Sequence, residues 1–168
     1  MKPVIRPERA SDEALIADVI RQAFLDHPHS SHTEHFIVAA LRREGALTLS
    51  LVAEQAGDVV GHIALSPVTV SDGEDGWFGL GPVAVLPSWQ GRGIGHALVE
   101  EGLARLRAKG AAGCVLLGEP AYYGRFGFKY DPRLVLPGVP PSFFLSLAFG
   151  PCVPQGEVSY HAAFEARD

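Results

Sequence analysis

The chain has 168 residues, 47% of them hydrophobic and 20% charged, the balance of one ordinary globular domain spanning 1–168. A chain of that length buries a core large enough to need no disulfide or metal staple. Its composition excludes a disulfide-rich scaffold, a disordered segment and a coiled coil. A formal net charge of −5, with no basic face, argues against nucleic acid as a partner. No apolar run reaches the ~18 to 20 residues that cross a bilayer, so no membrane partner is expected. Met1 to Arg6 lacks the apolar core of a signal peptide, and the expected compartment is the cytoplasm. Cys114 and Cys152 lack CxxC spacing and read as reduced thiols, Cys114 within a core strand.

Lys2 to Arg6 reads as a short strand. Ser11 then offers an N-cap, with Asp12 and Glu13 as carboxylates in a first helical turn. Leu15, Ile16, Val19, Ile20, Ala23 and Phe24 follow at helical spacing, predicting an amphipathic helix that stops near His27-Pro28. A second helix is expected from Thr33 to Arg43, with Phe36, Ile37, Ala40 and Leu41 inward and Gly45 ending it. Leu47 to Glu54 and Val59 to Val70 are β-rich and joined by Ala56-Gly57-Asp58, a hairpin signal. Ser71 to Gly76 reads as an acidic loop, and Phe78 to Leu86 as a third strand interrupted by Gly79, Gly81 and Pro82.

A glycine-rich turn then opens a helix from Ile94 to Lys109, stopped by Gly110. Ala112 to Leu117 is a short buried strand, and Ala121 to Phe126 a short helix. Beyond Tyr130 prolines crowd in, yet Phe143 to Phe149 and Val158 to Phe164 can still pair as two strands. The order of a strand, two helices, three antiparallel strands and then β-α-β units is that of a mixed α/β fold.

The most informative stretch is Val83-Ala84-Val85-Leu86-Pro87-Ser88-Trp89-Gln90-Gly91-Arg92-Gly93-Ile94-Gly95-His96-Ala97-Leu98. A buried strand runs into a loop with glycine at every second position, and the loop opens a helix. Free amides at a helix start, together with the helix dipole, make an anion site, and the natural guest is a phosphate or pyrophosphate. The dinucleotide pattern GxGxxG fails, because its third glycine falls on His96. The P-loop ending Gly-Lys-Ser/Thr is absent. A tight turn without a ligand is the bland alternative.

Gln90-x-x-Gly93-x-Gly95, after Val-Ala-Val and before Ala-Leu, resembles the acetyl-CoA loop of the GNAT N-acetyltransferases. Tyr123-Gly124-Arg125-Phe126-Gly127-Phe128 resembles that family's Tyr-x-x-x-Gly-Phe element. The run Leu117 to Phe128 is similar to the bacterial subgroup often called YhbS-like. The resemblance spans nearly the whole chain. It implies the GNAT acyl-CoA N-acyltransferase fold: a central, mostly antiparallel twisted sheet, splayed at the coenzyme site and flanked by helices.

It also implies roles. Backbone amides of Gly91, Arg92, Gly93, Ile94, Gly95 and His96 would hold the pyrophosphate of acetyl-CoA, with Gln90 opening the motif and the Arg92 side chain adding charge. Main-chain groups of Val83 and Val85 would pair with the pantetheine arm, exposed by a bulge at Gly81 and Pro82. The Val85 N–H would polarise the thioester carbonyl, a donor of a kind worth about 10²- to 10³-fold in rate. Tyr123 aligns with the general acid that protonates the departing thiolate, and Tyr122 is its rival.

The general base is unassigned. The strand positions that carry a carboxylate or imidazole in some family members fall here around Gly79 and Gly81. Glu119 is a candidate base, its alternative being a helix-cap carboxylate, and His62 a weaker one.

His27, His29, His32 and His35 lie close in sequence beside Asp26, but their spacing matches no closed zinc site, and no metal is expected. Their loop reads as a border of the acceptor pocket, with Phe143, Phe144 and Phe149 in the opposite wall. The leading reading is therefore an acetyl-CoA-dependent N-acetyltransferase acting on a small-molecule primary amine. Its rivals are a protein lysine or N-terminal acetyltransferase, a non-catalytic acyl-CoA-binding module, and a metal buffer. A homodimer is compatible with all of them.

Overall fold

The computed structural model describes residues 2–28 and 30–168. The chain forms two compact units, and β3 (Asp58–Val70), β4 (Trp77–Val85) and α3 (Ile94–Ala108) each contribute to both. The first unit comprises Met1–Ser66, Gly81–Gly102 and Ala162–Asp168. It holds β1 (Val4–Pro7), α1 (Glu13–Phe24), α2 (Glu34–Arg43) and β2 (Leu49–Gln55).

β1 lies antiparallel to β2, with Val4 opposite Glu54 and Pro7 opposite Leu51. β2 lies antiparallel to β3, from Leu49 opposite Leu65 to Gln55 opposite Asp58. The β2–β3 turn is left-handed at Ala56 (φ 53°) and Gly57 (φ 84°), which matches the right-handed twist of the flanking strands. One sheet face packs Val52, Ala64 and Ala84 against Ile16, Val19 and Ile20 of α1 and Val38 of α2. On the other face α3 rides close: a Cβ at Gly61 would lie 3.1 Å from side-chain atoms of both Ile94 and Leu98. A short C-terminal turn, Ala162–Glu165, sets Ala163 and Phe164 against Ile37, Ala40 and Leu41 of α2.

The second unit comprises Pro67–Leu80 and Leu103–His161. In it β4 pairs in parallel with β5 (Gly113–Leu117), from Trp77 opposite Gly113 to Gly79 opposite Val115. A parallel pair needs a long crossover, and α3 lies between these strands in sequence. The ladder covers three residue pairs, although β4 has nine residues.

β5 pairs antiparallel with β8 (Phe144–Ala148), and β8 with β6 (Lys129–Tyr130). The far end of β3 pairs antiparallel with β9 (Gly156–Tyr160), which pairs in parallel with β7 (Leu134–Val135). The core here is Val68, Val70, Trp77, Val115, Leu134, Phe144 and Val158. The sheet is thus mixed, antiparallel except at β4–β5 and β7–β9.

Four local expectations are corrected. Ser11 caps nothing by its side chain; a 3-10 turn, Ala10–Asp12, precedes α1, and Asp12 does the fastening. Its carboxylate accepts the Arg9 N–H at 2.7 Å and two bonds from the Arg6 guanidinium at 2.7 and 3.1 Å. Leu15 is 50% exposed, one helical step off the buried stripe of Ile16, Val19 and Ile20. On α2 the buried residues are Ile37, Val38, Ala40 and Leu41. Phe36 is half-buried instead, its ring centroid 3.9 Å from that of His35. The two late strands pair not with each other but with β5 and β6 and with β3 and β7.

The Arg6 hydrogen bonds hold the Asp12 carboxyl down at about 2, against the opposing effect of burial, and the Arg9 amide adds to the hold. A carboxyl whose folded pKa lies below its unfolded value of about 3.9 stabilises the fold above that value. That contribution is lost as pH falls toward about 2. Asp12→Asn is therefore expected to lose about 2 to 3 kcal/mol at neutral pH, and the gap to the wild type closes in acid. Urea denaturation of both proteins between pH 7 and pH 2.5 reads this directly. A gap independent of pH would show that the Arg6–Asp12 pair does not hold the helix start.

Candidate active site

The glycine turn lies in the first unit. Leu86 leaves the sheet with its N–H still bonded to the Val60 carbonyl at 2.9 Å. Pro87–Trp89 form a single 3-10 turn, closed by the Trp89 N–H on the Leu86 carbonyl at 2.8 Å. Gly91 (φ 76°) and Gly93 (φ 82°) then adopt left-handed backbone, which a side chain would strain. A Cβ at either position would meet no atom within 4 Å, so the glycines leave open space over the loop.

The Gly93 carbonyl accepts the Ala97 N–H at 3.0 Å, the first bond of α3. Gly93 is thus the helix cap, and it brings no side-chain acceptor to the amides of the first turn. Those donors and the positive end of a 15-residue helix favour an anion. The Arg92 guanidinium lies 4.7 Å from the Trp89 ring centroid, which holds an exposed cation beside the loop. His96, in the first turn of α3, forms a short hydrogen-bonded contact with the Glu100 carboxylate. The loop fits a pyrophosphate group by its open glycines, a helix start with no side-chain acceptor at its cap, and its cation.

Gln90 has a further task. Its side-chain amide donates to the Val85 carbonyl at 3.0 Å, which ties the end of β4 to the loop. Val83 and Val85 are both half-buried on that strand end.

Tyr123 lies in the second unit, at the end of the short α4 (Pro120–Tyr123). Its ring is seated on Gly118: a Cβ there would stand 2.5 Å from the ring. It packs edge-on against Tyr122 at 4.9 Å and against Phe128 at 6.2 Å between centroids. Burial, with Tyr122 adding to it, pushes the Tyr123 hydroxyl above the usual phenol range, so it is protonated at neutral pH. Tyr122 packs on Phe126, and the Arg125 guanidinium lies 4.4 Å from its ring centroid. Glu119 is exposed and makes no side-chain cap; its backbone carbonyl accepts the Tyr122 and Tyr123 amides instead.

Position 79 has a physical explanation that the sequence pattern alone does not reveal. A Cβ at Gly79 would lie 2.5 Å from the Tyr160 ring of β9. The space for a strand side chain is therefore filled by an aromatic more than eighty residues downstream. Trp89, beside the Arg92 guanidinium, and Gly118, beneath the Tyr123 ring, are likewise contacts that the motifs do not single out.

Of the histidine cluster, His29 lies outside the described residues. His32 bonds through Nε2 to the Leu25 carbonyl at 3.0 Å, and the His27 ring lies 5.6 Å from that of Phe24. Among the described residues no three His, Cys, Asp or Glu side chains are placed to hold a metal ion. Nor is any helix among them long and apolar enough to cross a membrane.

The sheet, the glycine-capped helix and the seated tyrosine are features of an acyl-CoA N-acyltransferase. The model of the Acetyltransferase (GNAT) family matches residues 13–128, and the chain belongs to that family. It is related to the YhbS-like bacterial subgroup within it. YhbS of Escherichia coli K12, described as an uncharacterized N-acetyltransferase, is 39% identical over 145 residues, 83% of this chain and 84% of its own. The crystal structure of YhbS from Escherichia coli in complex with CoA superposes with a TM-score of 0.87 at 38% identity, covering 98% of this chain and 93% of that one. A GNAT family acetyltransferase from Brucella melitensis, solved in complex with acetyl-CoA, is 54% identical with a TM-score of 0.87, covering 96% and 97% of the two chains.

The seating of Tyr123 is open to test. Gly118→Ala would force the ring to move, an overpacking expected to cost about 1 to 3 kcal/mol. Chemical denaturation and the near-ultraviolet circular dichroism of the tyrosines should both change. Wild-type stability with an unaltered aromatic signal would mean that the ring does not rest on Gly118.

Proposed function

We propose that the protein is an N-acetyltransferase that moves the acetyl group of acetyl-CoA to a primary amine of a small molecule by direct attack. The observation that carries this reading is the glycine-capped start of α3 beside the end of β4. Amides of Gly91 to His96, with the Arg92 side chain, bind the pyrophosphate. Main-chain groups of Val83 and Val85 align the pantetheine arm, and the Val85 N–H donates to the thioester carbonyl as negative charge develops on its oxygen. The Gln90 side chain, bonded to the Val85 carbonyl, ties the next peptide of the strand, Val85–Leu86, to the loop. Tyr123 supplies the proton that the departing thiolate takes up, which its protonated hydroxyl suits. Holding both reactants side by side provides much of the acceleration.

The Brucella melitensis and Escherichia coli relatives solved with acetyl-CoA and CoA support the choice of donor. A net charge of −5 suits an acceptor that arrives as a cation. Calorimetric titration with acetyl-CoA, CoA and NADH tests the loop. Acetyl-CoA and CoA should bind in the micromolar range, NADH should not, and Gly93→Val should abolish binding. Absence of acetyl-CoA binding would overturn the reading.

Turnover is then measured on spermidine, tyramine, free lysine and a lysine-containing peptide with a free N-terminus. Tyr123→Phe should keep its affinity for CoA and lose about 10²-fold or more in kcat. Equal kcat in that variant would remove Tyr123 as the acid. Preference for the peptide would shift the acceptor class to protein amines.

A further inference from the structure

Among the described residues, the buried side-chain polar atoms without a hydrogen-bond partner are Arg6 Nε, His62 Nδ1 and Ser66 Oγ. Arg6 Nε still faces the Glu54 carboxylate at 3.2 Å. His62 and Ser66 lie four residues apart on β3 and so share one face of the strand. Of these atoms, only His62 Nδ1 can act as a Brønsted base at neutral pH. Native structures rarely leave such an atom unpaired, and proton transfer is among the roles that explain one.

The other ring nitrogen is tightly engaged. His62 is fully buried, and its Nε2 lies 2.8 Å from Ser50 Oγ. The Ser50 hydroxyl donates to the Glu8 carboxylate in a short bond. Because that proton points at Glu8, the Ser50 oxygen accepts from His62, and the neutral ring carries its hydrogen on Nε2. Its lone pair is then on Nδ1.

Glu8 is held by Arg42 through Nε and a terminal nitrogen, both at 2.8 Å, and Arg42 lies 3.5 Å from Glu13. Glu8, Arg42 and Ser50 also line an open cavity of about 310 Å³. Burial works against the Glu8 charge, yet the bonds from Arg42 and Ser50 prevail and keep its pKa below the ordinary value. Burial lowers His62 to about 4; Glu8 works against that shift and Arg42 adds to it. The ring is therefore neutral at physiological pH, with one ring nitrogen free of hydrogen.

His62 is also close to the reacting strand. The Leu86 N–H on the Val60 carbonyl sets the antiparallel register of β3 against the end of β4. Two residues along each strand, His62 comes opposite Ala84, the neighbour of Val85. Ala84 shares a core cluster with Val52, the cross-strand partner of His62, and with Ala64.

We propose that His62 is the proton acceptor for the attacking amine, with Ser50 and Glu8 as the positioning pair that fixes its tautomer. This rests on the acetyl transfer proposed above. The amine nitrogen forms its bond to the thioester carbon, and its surplus proton passes to His62 Nδ1, directly or across one water. The carbon–sulfur bond breaks, and the thiolate takes its proton from Tyr123. The imidazolium is stabilised by the Glu8 charge through Ser50 until its proton returns, by way of solvent, to the Tyr123 phenolate. The sum is amine plus acetyl-CoA giving amide plus CoA, with both side chains restored. The assignment supplies the base that Gly79 and Gly81 cannot.

The first test needs no acceptor. Long-range ¹⁵N–¹H correlation of the His62 ring at pH 7 should show hydrogen on Nε2 and a bare Nδ1 in the wild type. Ser50→Ala should release the ring into a mixture of tautomers. A proton on Nδ1 in the wild type would overturn the proposal.

The second test uses the panel amine with the highest turnover. His62→Gln should lose about 10²-fold or more in kcat, with KM for acetyl-CoA and affinity for CoA unchanged. Ser50→Ala keeps the imidazole and guards against a folding defect in the first variant; it should lose kcat by a smaller factor, again with CoA affinity intact. Wild-type kcat in either variant would overturn the proposal. If the wild type acetylates none of the amines, the transferase reading fails by itself, and a proton found on Nδ1 would still refute the His62 assignment separately.

Discussion

Helix α3 starts where it does because β3 lets it come close. Ile94, the first residue of that helix, is also one of the two side chains pressed onto Gly61, so the packing contact and the helix start are the same residue. A larger residue at position 61 would push the helix away from the sheet and carry the glycine loop with it. One turn farther along, Gly102 stands in the same relation to Leu65, where a Cβ would approach to 3.1 Å. Two glycines with no role in anion binding thus decide where the amides of the first helical turn are held. The loop needs that anchorage, since its own glycines give it little stiffness. Gln90 adds a second restraint by tying the loop to the Val85 carbonyl, so donors on the strand and donors on the helix keep a fixed relation.

Much of this was legible in the sequence where a local pattern and the tertiary contact agree. The Ala56-Gly57 turn, the helix that opens at Ile94 and its stop at Gly110 are each decided by neighbours within a few residues. The glycine turn was legible for the same reason: left-handed backbone at Gly91 and Gly93 is a local demand that only a few residue types meet.

What the sequence hid depends on partners far away along the chain. Lys129–Tyr130 and Leu134–Val135 are two-residue strands that exist because β8 and β9 pass beside them. No periodicity shows in two residues. Val38 is buried where Phe36 was expected because it packs against Ile16, Val19 and Ile20 of α1 and against Val52, Ala64 and Ala84 of the sheet, partners that the spacing within α2 does not reveal. Asp12 rather than Ser11 fastens the start of α1 because Arg6 reaches it from β1. Tyr160 in the space beside Gly79 belongs to the same group.

The absence of a carboxylate or imidazole at Gly79 and Gly81 bears on how the fold divides its chemistry. With the Tyr160 ring against Gly79, a side chain there could not be accommodated without displacing that ring and Val68, whereas Gly81 faces open space but has a φ of 132° that disfavours a side chain. On the reading proposed above, the proton passes to β3, a neighbour of β4 in the sheet. A histidine there can be buried and kept neutral by its surroundings, since burial penalises the imidazolium more than the imidazole. What it gives up in basicity is partly offset by Glu8, whose charge acts through one hydroxyl and is itself kept ionised by Arg42. Base, oxyanion donor and anion loop would then all be carried by adjacent strands and one helix of a single compact unit. Exchanging Gly79 for a carboxylate would restore a side chain without restoring the function, because Tyr160 already fills the volume it would need.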